Sequence, residues 1–294
     1  MNPKITVLTP TYNRAKYLSK LYESLKKQTN KNFEWFIIDD GSIDETKEKV
    51  EKWKKDGVIS INYMHKENGG KHKALNVAIK NINTILTFIV DSDDWLTEDA
   101  IETIEYYYNK YKDNKKIGGF SFLRKYSNGL VNGREFPKDE IIDNYINVRI
   151  NANMLDDKAE VYYTKILKQY PFPEFDGEKF ISEDVIWIPI AKQYDMVHIN
   201  KAIYIGEYLE GGLTKSDKKI KVHSPLGMME HAKVLMYKEC CFKSKCKGTI
   251  LYTIYGLIAN KKLLDIFFGI EQKFLFIILL PVSAIFYKKW KKYI

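Results

Sequence analysis

Three aspartates close a short stretch of this chain, FIVDSDDW at residues 88–95. An apolar run, Phe88, Ile89 and Val90, leads directly into Asp91, Asp93 and Asp94. Carboxylates this close repel one another unless a cation offsets them. Hard divalent cations take oxygen ligands, and Mg²⁺ keeps waters while accepting one or two carboxylates plus phosphate oxygens. The spacing therefore suits Mn²⁺ or Mg²⁺ held jointly with a diphosphate. A solvated turn that caps the next helix is the plain alternative.

Two other stretches have related chemistry. Asp39-Asp40-Gly41-Ser42 follows a second apolar run. A carboxylate at a strand end can accept a base N–H or a ribose hydroxyl, and Gly41 permits a tight turn. A simple β-turn with a helix cap would use the same residues. The segment ENGGKHKALN, residues 67–76, opens a helix on Gly69 and Gly70. Glycines there let a ligand approach the backbone, and helix N-termini favour phosphate. Lys71 and Lys73 add positive charge, and Asn76 lies one turn further on. The segment lacks the GKS or GKT of a P-loop.

These residues need elements to position them. Residues 5–8, 33–38, 58–64 and 85–90 read as strands. Between them, Leu18, Leu21, Tyr22 and Leu25 mark one helix face, residues 46–55 a charged helix, and Ala74, Leu75, Ala78 and Ile79 another face. Strand–helix alternation of this kind predicts βαβ crossovers and a mostly parallel sheet. Ligands of such sheets bind beyond the carboxyl ends of the strands, where Thr9–Arg14, Asp39–Ser42 and Asp91–Asp94 fall. Further on, residues 97–111 read as a helix and 118–126 as a strand. A helix from an N-cap at Ser182 to Tyr194 follows, then two short strands near 197 and 203–208.

Charge divides the 294 residues unevenly. Residues 1–215 carry 32 Lys and Arg against 33 acids, whereas 216–294 carry 15 Lys, no Arg and 5 acids. The net charge of +9 thus sits in a C-terminal module. That module also holds FLFIILLPVSAIFY at 274–287, fourteen uncharged residues interrupted by Pro281 and flanked by lysines. A hydrocarbon core needs roughly 20 apolar residues. Monotopic attachment to an anionic membrane surface through 263–294 is expected instead, with a buried helix or a homodimer contact as the alternative. Nucleic-acid binding is disfavoured, because the basic charge lies in an Arg-free apolar tail. Cys240, Cys241 and Cys246 are expected to be free thiols. The N-terminal MNPKITVLTPTYNR shows no apolar signal-peptide core, which points to the cytoplasmic face of the membrane, peripheral or monotopic.

TPTYNR at 9–14, DDGS at 39–42, ENGGKHKALN at 67–76, DSDD at 91–94 and SEDVIW at 182–187 occur in order. Together they resemble the family 2 glycosyltransferases. The resemblance implies an α/β fold of GT-A type: a mostly parallel, Rossmann-like sheet flanked by helices, here with a C-terminal helical, membrane-associating extension. It divides the chain into a nucleotide-sugar-binding half (1–100), an acceptor-binding half (101–215) and the basic tail (216–294). On the donor side it implies Thr9, Pro10, Thr11, Tyr12, Asn13, Arg14, Asp39, Asp40, Gly70, Lys71, Asn76, Asp91 and Ser92. Thr9–Asn13 and Asp40 would hold base and ribose, with Asp39 supporting the turn. Asp93 would be the direct metal ligand, with Asp91 as second ligand or sugar contact. Asp94, Trp95 and Trp187 fall on the acceptor side, although a Trp at the spacing of Trp187 also suits a core.

By the same resemblance Asp184 is the catalytic base, with Glu183 beside it as the other candidate. Residues 208–214, YLEGGLT, match a loop that closes over diphosphate. His72, Lys73 and Leu75 depart from the small residues and Arg common in the family, and no QxxRW-type signature of processive synthases is present. The expected activity is inverting, metal-dependent transfer of a sugar from a nucleotide donor, a UDP-sugar first, to a lipid-linked or glycan acceptor. Surface polysaccharide synthesis is the expected setting. The alternative is a noncatalytic relative that binds nucleotide sugar or glycan and tethers a partner enzyme to the membrane.

Overall fold

The computed structural model describes residues 3–207 and 217–293, which fall into two units. The segment 208–214 lies outside the described residues.

The first unit comprises 3–144, 155–171 and 193–207. It begins β1 (Ile5–Thr11), α1 (Ala15–Lys26), β2 (Phe33–Asp39), α2 (Thr46–Asp56), β3 (Ile61–His65), α3 (Lys71–Asn81) and β4 (Leu86–Ile89). It continues with β5 (Trp95–Leu96), α4 (Ala100–Tyr111), β6 (Ile117–Lys125), β7 (Ile141–Asp143), β8 (Lys158–Tyr163), α5 (Thr164–Leu167) and β9 (Asp195–Ile205). The strands form one sheet in the order β3-β2-β1-β4-β8-β6-β9-β5, with β7 paired to β9.

The β3-β2-β1-β4 portion is parallel, as the helix-length connections require. Beyond β4 the sheet is mixed, which corrects the expectation of a mostly parallel one. β8 runs antiparallel to both β4 and β6, β5 and β7 run antiparallel to β9, and only β6–β9 is parallel. Strong β-branched and aromatic runs mark these strands in the sequence, but their direction depends on long connections without a periodic signal.

The core explains much of the aromatic content. Along α1, Leu18, Leu21, Tyr22 and Leu25 are buried, the face expected from their spacing. Tyr22, Trp35 and Trp53 stack there, with centroids 4.4 Å apart for Tyr22–Trp53 and 5.8 Å for Trp35–Trp53. Several boundaries differ from the sequence reading. β3 starts at Ile61 rather than 58, with the Ser60 carbonyl still accepting Trp35 N–H. α4 starts at Ala100, because Trp95–Leu96 pairs with β9 and Thr97 N–H bonds to Ile203 O at 3.0 Å. One strand, β9, replaces the two short ones. A bulge at Asn200 and Lys201 absorbs the apparent break, and the Asn200 side chain is bonded to both backbone groups of Phe136. The start of α6 differs too, as described below.

The second unit comprises 145–154, 172–192 and 217–293. A short π-helix (Ile146–Asn151) precedes α6 (Asp184–Ala191), α7 (Asp217–Val222), α8 (Pro225–Val234), α9 (Phe242–Ile258), α10 (Leu263–Gly269) and α11 (Lys273–Trp290). α6 begins at Asp184 instead of Ser182 and ends at Ala191, and Ser182 acts through its carbonyl, which accepts Val185 N–H. Met228, Met229, Ala232, Tyr252, Tyr255 and Ile266 form the centre of this unit's apolar core. By contacts, 145–154 and 172–192 group with the C-terminal helices, whereas the sequence reading counted them with 101–215. Cys240, Cys241 and Cys246 are free, and burial pushes the Cys240 thiol up to about 11. Among the described residues, no helix is long and apolar enough to cross a membrane.

Candidate active site

Loops at the carboxyl ends of β1, β2 and β4 bring most of the sequence-derived residues into the first unit. β1 extends through Thr11, so Thr9, Pro10 and Thr11 are buried strand residues rather than a turn. Thr9 Oγ1 accepts the Trp35 indole N–H at 2.9 Å, which commits that hydroxyl to the core. The turn consists of exposed Tyr12 and Asn13 and half-buried Arg14, with Asn13 at φ 52°. Two bonds tie it to the DDGS loop: Asn13 N–H to Ser42 Oγ at 2.8 Å, and Ile43 N–H to Asn13 Oδ1 at 2.9 Å.

Asp39 and Asp40 are both buried. Asp39 Oδ1 accepts Ser42 N–H at 2.8 Å and Oδ2 accepts the Tyr63 hydroxyl at 2.6 Å, which is the turn-supporting role expected of it. Asp40 shares that role. Its carboxylate accepts Lys66 Nζ (2.8 Å), Gly69 N–H (2.9 Å), Gly70 N–H (2.7 Å) and Asn68 Nδ2 (3.1 Å). A base or ribose contact was expected of Asp40. The bonds observed anchor the Gly-Gly turn, because backbone amides at the mouth of α3 face it, and the expected contact is one that a bound donor would add. Glycine is required twice here. Gly70 sits at φ 98°, and a Cβ on Gly41 (φ 89°) would lie 2.8 Å from Asn68 N.

This anchoring has a measurable consequence. Asp40→Ala strips a charged acceptor from buried donors and is expected to cost about 3 kcal/mol. Urea unfolding checks it, with Asp40→Asn expected to recover part of the loss.

Lys71 opens α3 and reaches Asp91, Nζ to Oδ1 2.6 Å. His72 and Asn76 are buried on the same helix. At the β4 end, the Tyr204 hydroxyl joins two of the three aspartates: it accepts Asp91 N–H at 3.0 Å and donates to Asp94 Oδ2 at 2.6 Å. Arg124 lies over the Tyr204 ring at 4.0 Å and 3.7 Å from Asp94 Oδ2. Arg14 Nη2 stands 4.0 Å from Asp93 Oδ2. Ser92 is buried within the turn, and Lys20 Nζ lies over the Trp95 ring.

The three carboxyls are therefore unequal. Burial acts to raise Asp91, but the charges of Lys71, Arg124 and Arg14 outweigh it and hold Asp91 below the usual range. Asp93 is raised, by burial first and by the Asp91 charge second. Asp94 is pushed up to about 7 by burial and by Asp91, against the Tyr204 bond and Arg124. By distance, Asp93 lies farther from its cation (Arg14, 4.0 Å) than Asp91 from Lys71 (2.6 Å) or Asp94 from Arg124 (3.7 Å), a placement that fits a divalent cation. Among the described residues no three His, Cys, Asp or Glu side chains are grouped to hold a metal by themselves. A cation there would rely on oxygens of a bound donor, the sparse arrangement that Mg²⁺ tolerates.

Asp184, at the start of α6, has its own surroundings in the second unit. Its Oδ1 accepts the Tyr145 hydroxyl at 2.9 Å, and His231 Nε2 of α8 lies 3.2 Å from Oδ2. A carboxylate only accepts, so this bond requires the proton on Nε2. Burial acts to raise Asp184, but the His231 bond and charge, the Tyr145 bond and the Arg149 charge hold it below the usual range. Its side chain is still 26% exposed, enough for a hydroxyl to reach. Glu183 is half-buried, and its carbonyl accepts the amides of Ile186 and Trp187. Trp187 is buried beside Phe172, ring centroids 6.5 Å apart, so the structure gives it the core role rather than an acceptor surface. Arg124, Tyr204, Lys66, Tyr145 and His231 were not singled out from the sequence.

Residues 6–150 match the protein-family pattern described as Glycosyl transferase family 2. The chain carries a glycosyl transferase family 2 domain. The family that the motifs resemble, the family 2 glycosyltransferases, is thus the family of this matched domain. Over 259 residues the chain is 27% identical to the GalNAc(5)-diNAcBac-PP-undecaprenol beta-1,3-glucosyltransferase of Campylobacter jejuni, covering 83% of this chain and 79% of that one. The solved S. aureus TarS 1–349 in complex with UDP-GlcNAc superposes with a TM-score of 0.65 at 22% identity, over 92% of this chain and 74% of that one. Mannosyltransferase PcManGT from Pyrobaculum calidifontis, solved with GDP-Man and Mn²⁺, gives 0.59 at 16%, over all of this chain and 84% of that one. These two likenesses establish a GT-A-like fold for this chain. The chain spans 32% or less of the length of the first curated relatives it matches.

Proposed function

We propose that this family 2 protein is an inverting, divalent-cation-dependent glycosyltransferase. In this reading it moves a sugar from a nucleotide donor, a UDP-sugar first, to a lipid-linked or glycan acceptor in surface polysaccharide synthesis. One observation carries it: Asp39, Asp40, Asp91 and Asp93 gather with Lys66, Lys71 and Arg14 at the carboxyl ends of parallel strands β1, β2 and β4. Open α/β sheets bind ligands at such ends. A UDP donor is supported by the TarS complex with UDP-GlcNAc, and a divalent cation by the Mn²⁺ of PcManGT. The undecaprenol in the Campylobacter relative's name supports a lipid-linked acceptor.

In the reaction, an acceptor oxygen attacks the anomeric carbon while the bond to the diphosphate breaks on the opposite side. Asp184 removes the acceptor proton as attack proceeds, since a neutral hydroxyl is a poor nucleophile. Its lowered pKa keeps it ionised at neutral pH. Lys71 and Arg14 supply fixed positive charge where the leaving diphosphate gains negative charge. Asp93 would hold Mn²⁺ or Mg²⁺, with Asp91 as the second candidate, and the bound cation would offset the same charge. Asp91 already has one oxygen on Lys71, which favours Asp93 as the direct ligand.

His231 acts here as a positioning residue. Replacing it with Phe removes a bond that lowers the Asp184 pKa. The acid limb of kcat is then expected to move to higher pH, with the donor KM unchanged. An unmoved limb would take His231 out of proton transfer. Thermal-shift screening of nucleotide sugars with Mn²⁺ tests the donor class. The reading expects UDP-sugars to stabilise the protein more than GDP-sugars, whereas no stabilisation by any nucleotide sugar would count against it.

A further inference from the structure

The C-terminal helices expose an apolar surface that catalysis does not explain. On α11, Phe274, Ile277, Ile278, Val282, Ile285 and Phe286 are all 37–75% exposed. Their spacing of three and four residues puts them on one side of the helix. The other side is used: Phe276 and Ser283 are buried, and Leu280, Tyr287 and Trp290 pack on the cluster around α9. Trp290 meets Tyr255 with ring centroids 5.5 Å apart. The stripe is therefore the outward face of a docked helix. Leu264 and Phe268 of α10 are likewise exposed, at 68% and 73%. Lys273 joins the two helices by donating to the Phe267 and Phe268 carbonyls, the latter at 2.9 Å.

Charge indicates what covers this face. Lys261 and Lys262 precede α10, Lys288 and Lys289 close α11, and Lys291 and Lys292 follow, all exposed. Residues 261–294 contain seven Lys and only two acids, Asp265 and Glu271. An apolar stripe with basic groups at its ends matches a bilayer interface, where apolar side chains enter the acyl boundary and lysines meet anionic headgroups. Spanning is excluded for α11, because its inner side is packed on α9 and the helix is too short and interrupted. A second copy of this chain would bring the same lysines against each other.

We infer that α10 and α11 form an interfacial docking face for an anionic membrane surface, with α11 lying in the membrane plane. This does not depend on the catalytic reading. Full-length protein is floated with vesicles of phosphatidylcholine, with and without phosphatidylglycerol. Expected is binding to the anionic vesicles that falls by about tenfold or more in pure phosphatidylcholine or at high salt. Ile278→Asp with Ile285→Asp removes it, at unchanged melting temperature since both sites are exposed. Asp93→Ala, which impairs catalysis in the proposal above, binds vesicles as wild type does. Equal binding by the Ile278→Asp, Ile285→Asp protein would overturn the inference. So would wild-type protein that ignores vesicles and instead forms a concentration-dependent dimer that the same substitutions dissolve.

Discussion

Asp184→Asn is expected to slow transfer by about 10²–10⁴-fold, the usual contribution of a general base, with nucleotide-sugar affinity unchanged. Asn is nearly isosteric. Its amide oxygen can still accept the Tyr145 hydroxyl, so the fold should survive with a loss of about 1–3 kcal/mol from the altered His231 contact. What Asn lacks is a site for the acceptor proton. Glu183→Gln, one residue away, separates the two candidates. Its side chain makes neither the Tyr145 nor the His231 contact, so its effect should be within about tenfold. Single-turnover transfer with saturating donor measures both. If Glu183→Gln were the more damaging substitution, the base would have been assigned to the wrong carboxylate.

Asp93→Ala should remove cation-dependent donor binding. Asp93 stands 4.0 Å from Arg14, whereas Asp91 is paired with Lys71 at 2.6 Å and Asp94 is bonded to Tyr204, so Asp93 is the carboxyl best placed to take a divalent cation. Loss of charge stabilisation on a leaving diphosphate is worth several kcal/mol, or about 10²–10⁴ in rate. Calorimetry provides a readout separate from turnover. Wild type should bind UDP more tightly with Mn²⁺ than without, and Asp93→Ala should show the same weak affinity in both. Asp94→Ala should behave differently, because Asp94 is bound to Tyr204 and faces Arg124. Its loss removes the acceptor of the Tyr204 hydroxyl and the carboxylate facing Arg124, which lowers stability as well as rate.

The parallel half of the fold was legible because its signals are local. Leu18, Leu21, Tyr22 and Leu25 reveal a helix face within eight residues, and the apolar runs before Asp39 and Asp91 end in turns. The acids at these ends were legible for the same reason. Their partners were not. Tyr204 reads as one more aromatic in an apolar strand, yet it holds Asp94, 110 positions away. Arg124 at the end of β6 reads as a solvated strand terminus. His231 is a lone histidine within PLGMMEHAKV, and only tertiary folding brings it to Asp184. The bonds from the Gly-Gly turn to Asp40, about thirty positions away, are another tertiary contact without a local signal. The antiparallel strands escaped because strand direction depends on connections such as 126–157, where Asn-Gly turns and irregular chain alternate.

The central claim is that the first unit holds a nucleotide sugar for transfer rather than for tethering alone. Release of UDP from UDP-sugars, with Mn²⁺ and a lipid-linked acceptor pool present, tests it most directly. Wild type should release UDP stoichiometrically with glycosylated acceptor, while Asp93→Ala and Asp184→Asn should both be near background. Wild-type protein that binds UDP-sugars yet releases no UDP from any of them would contradict the account and identify a noncatalytic nucleotide-sugar binder.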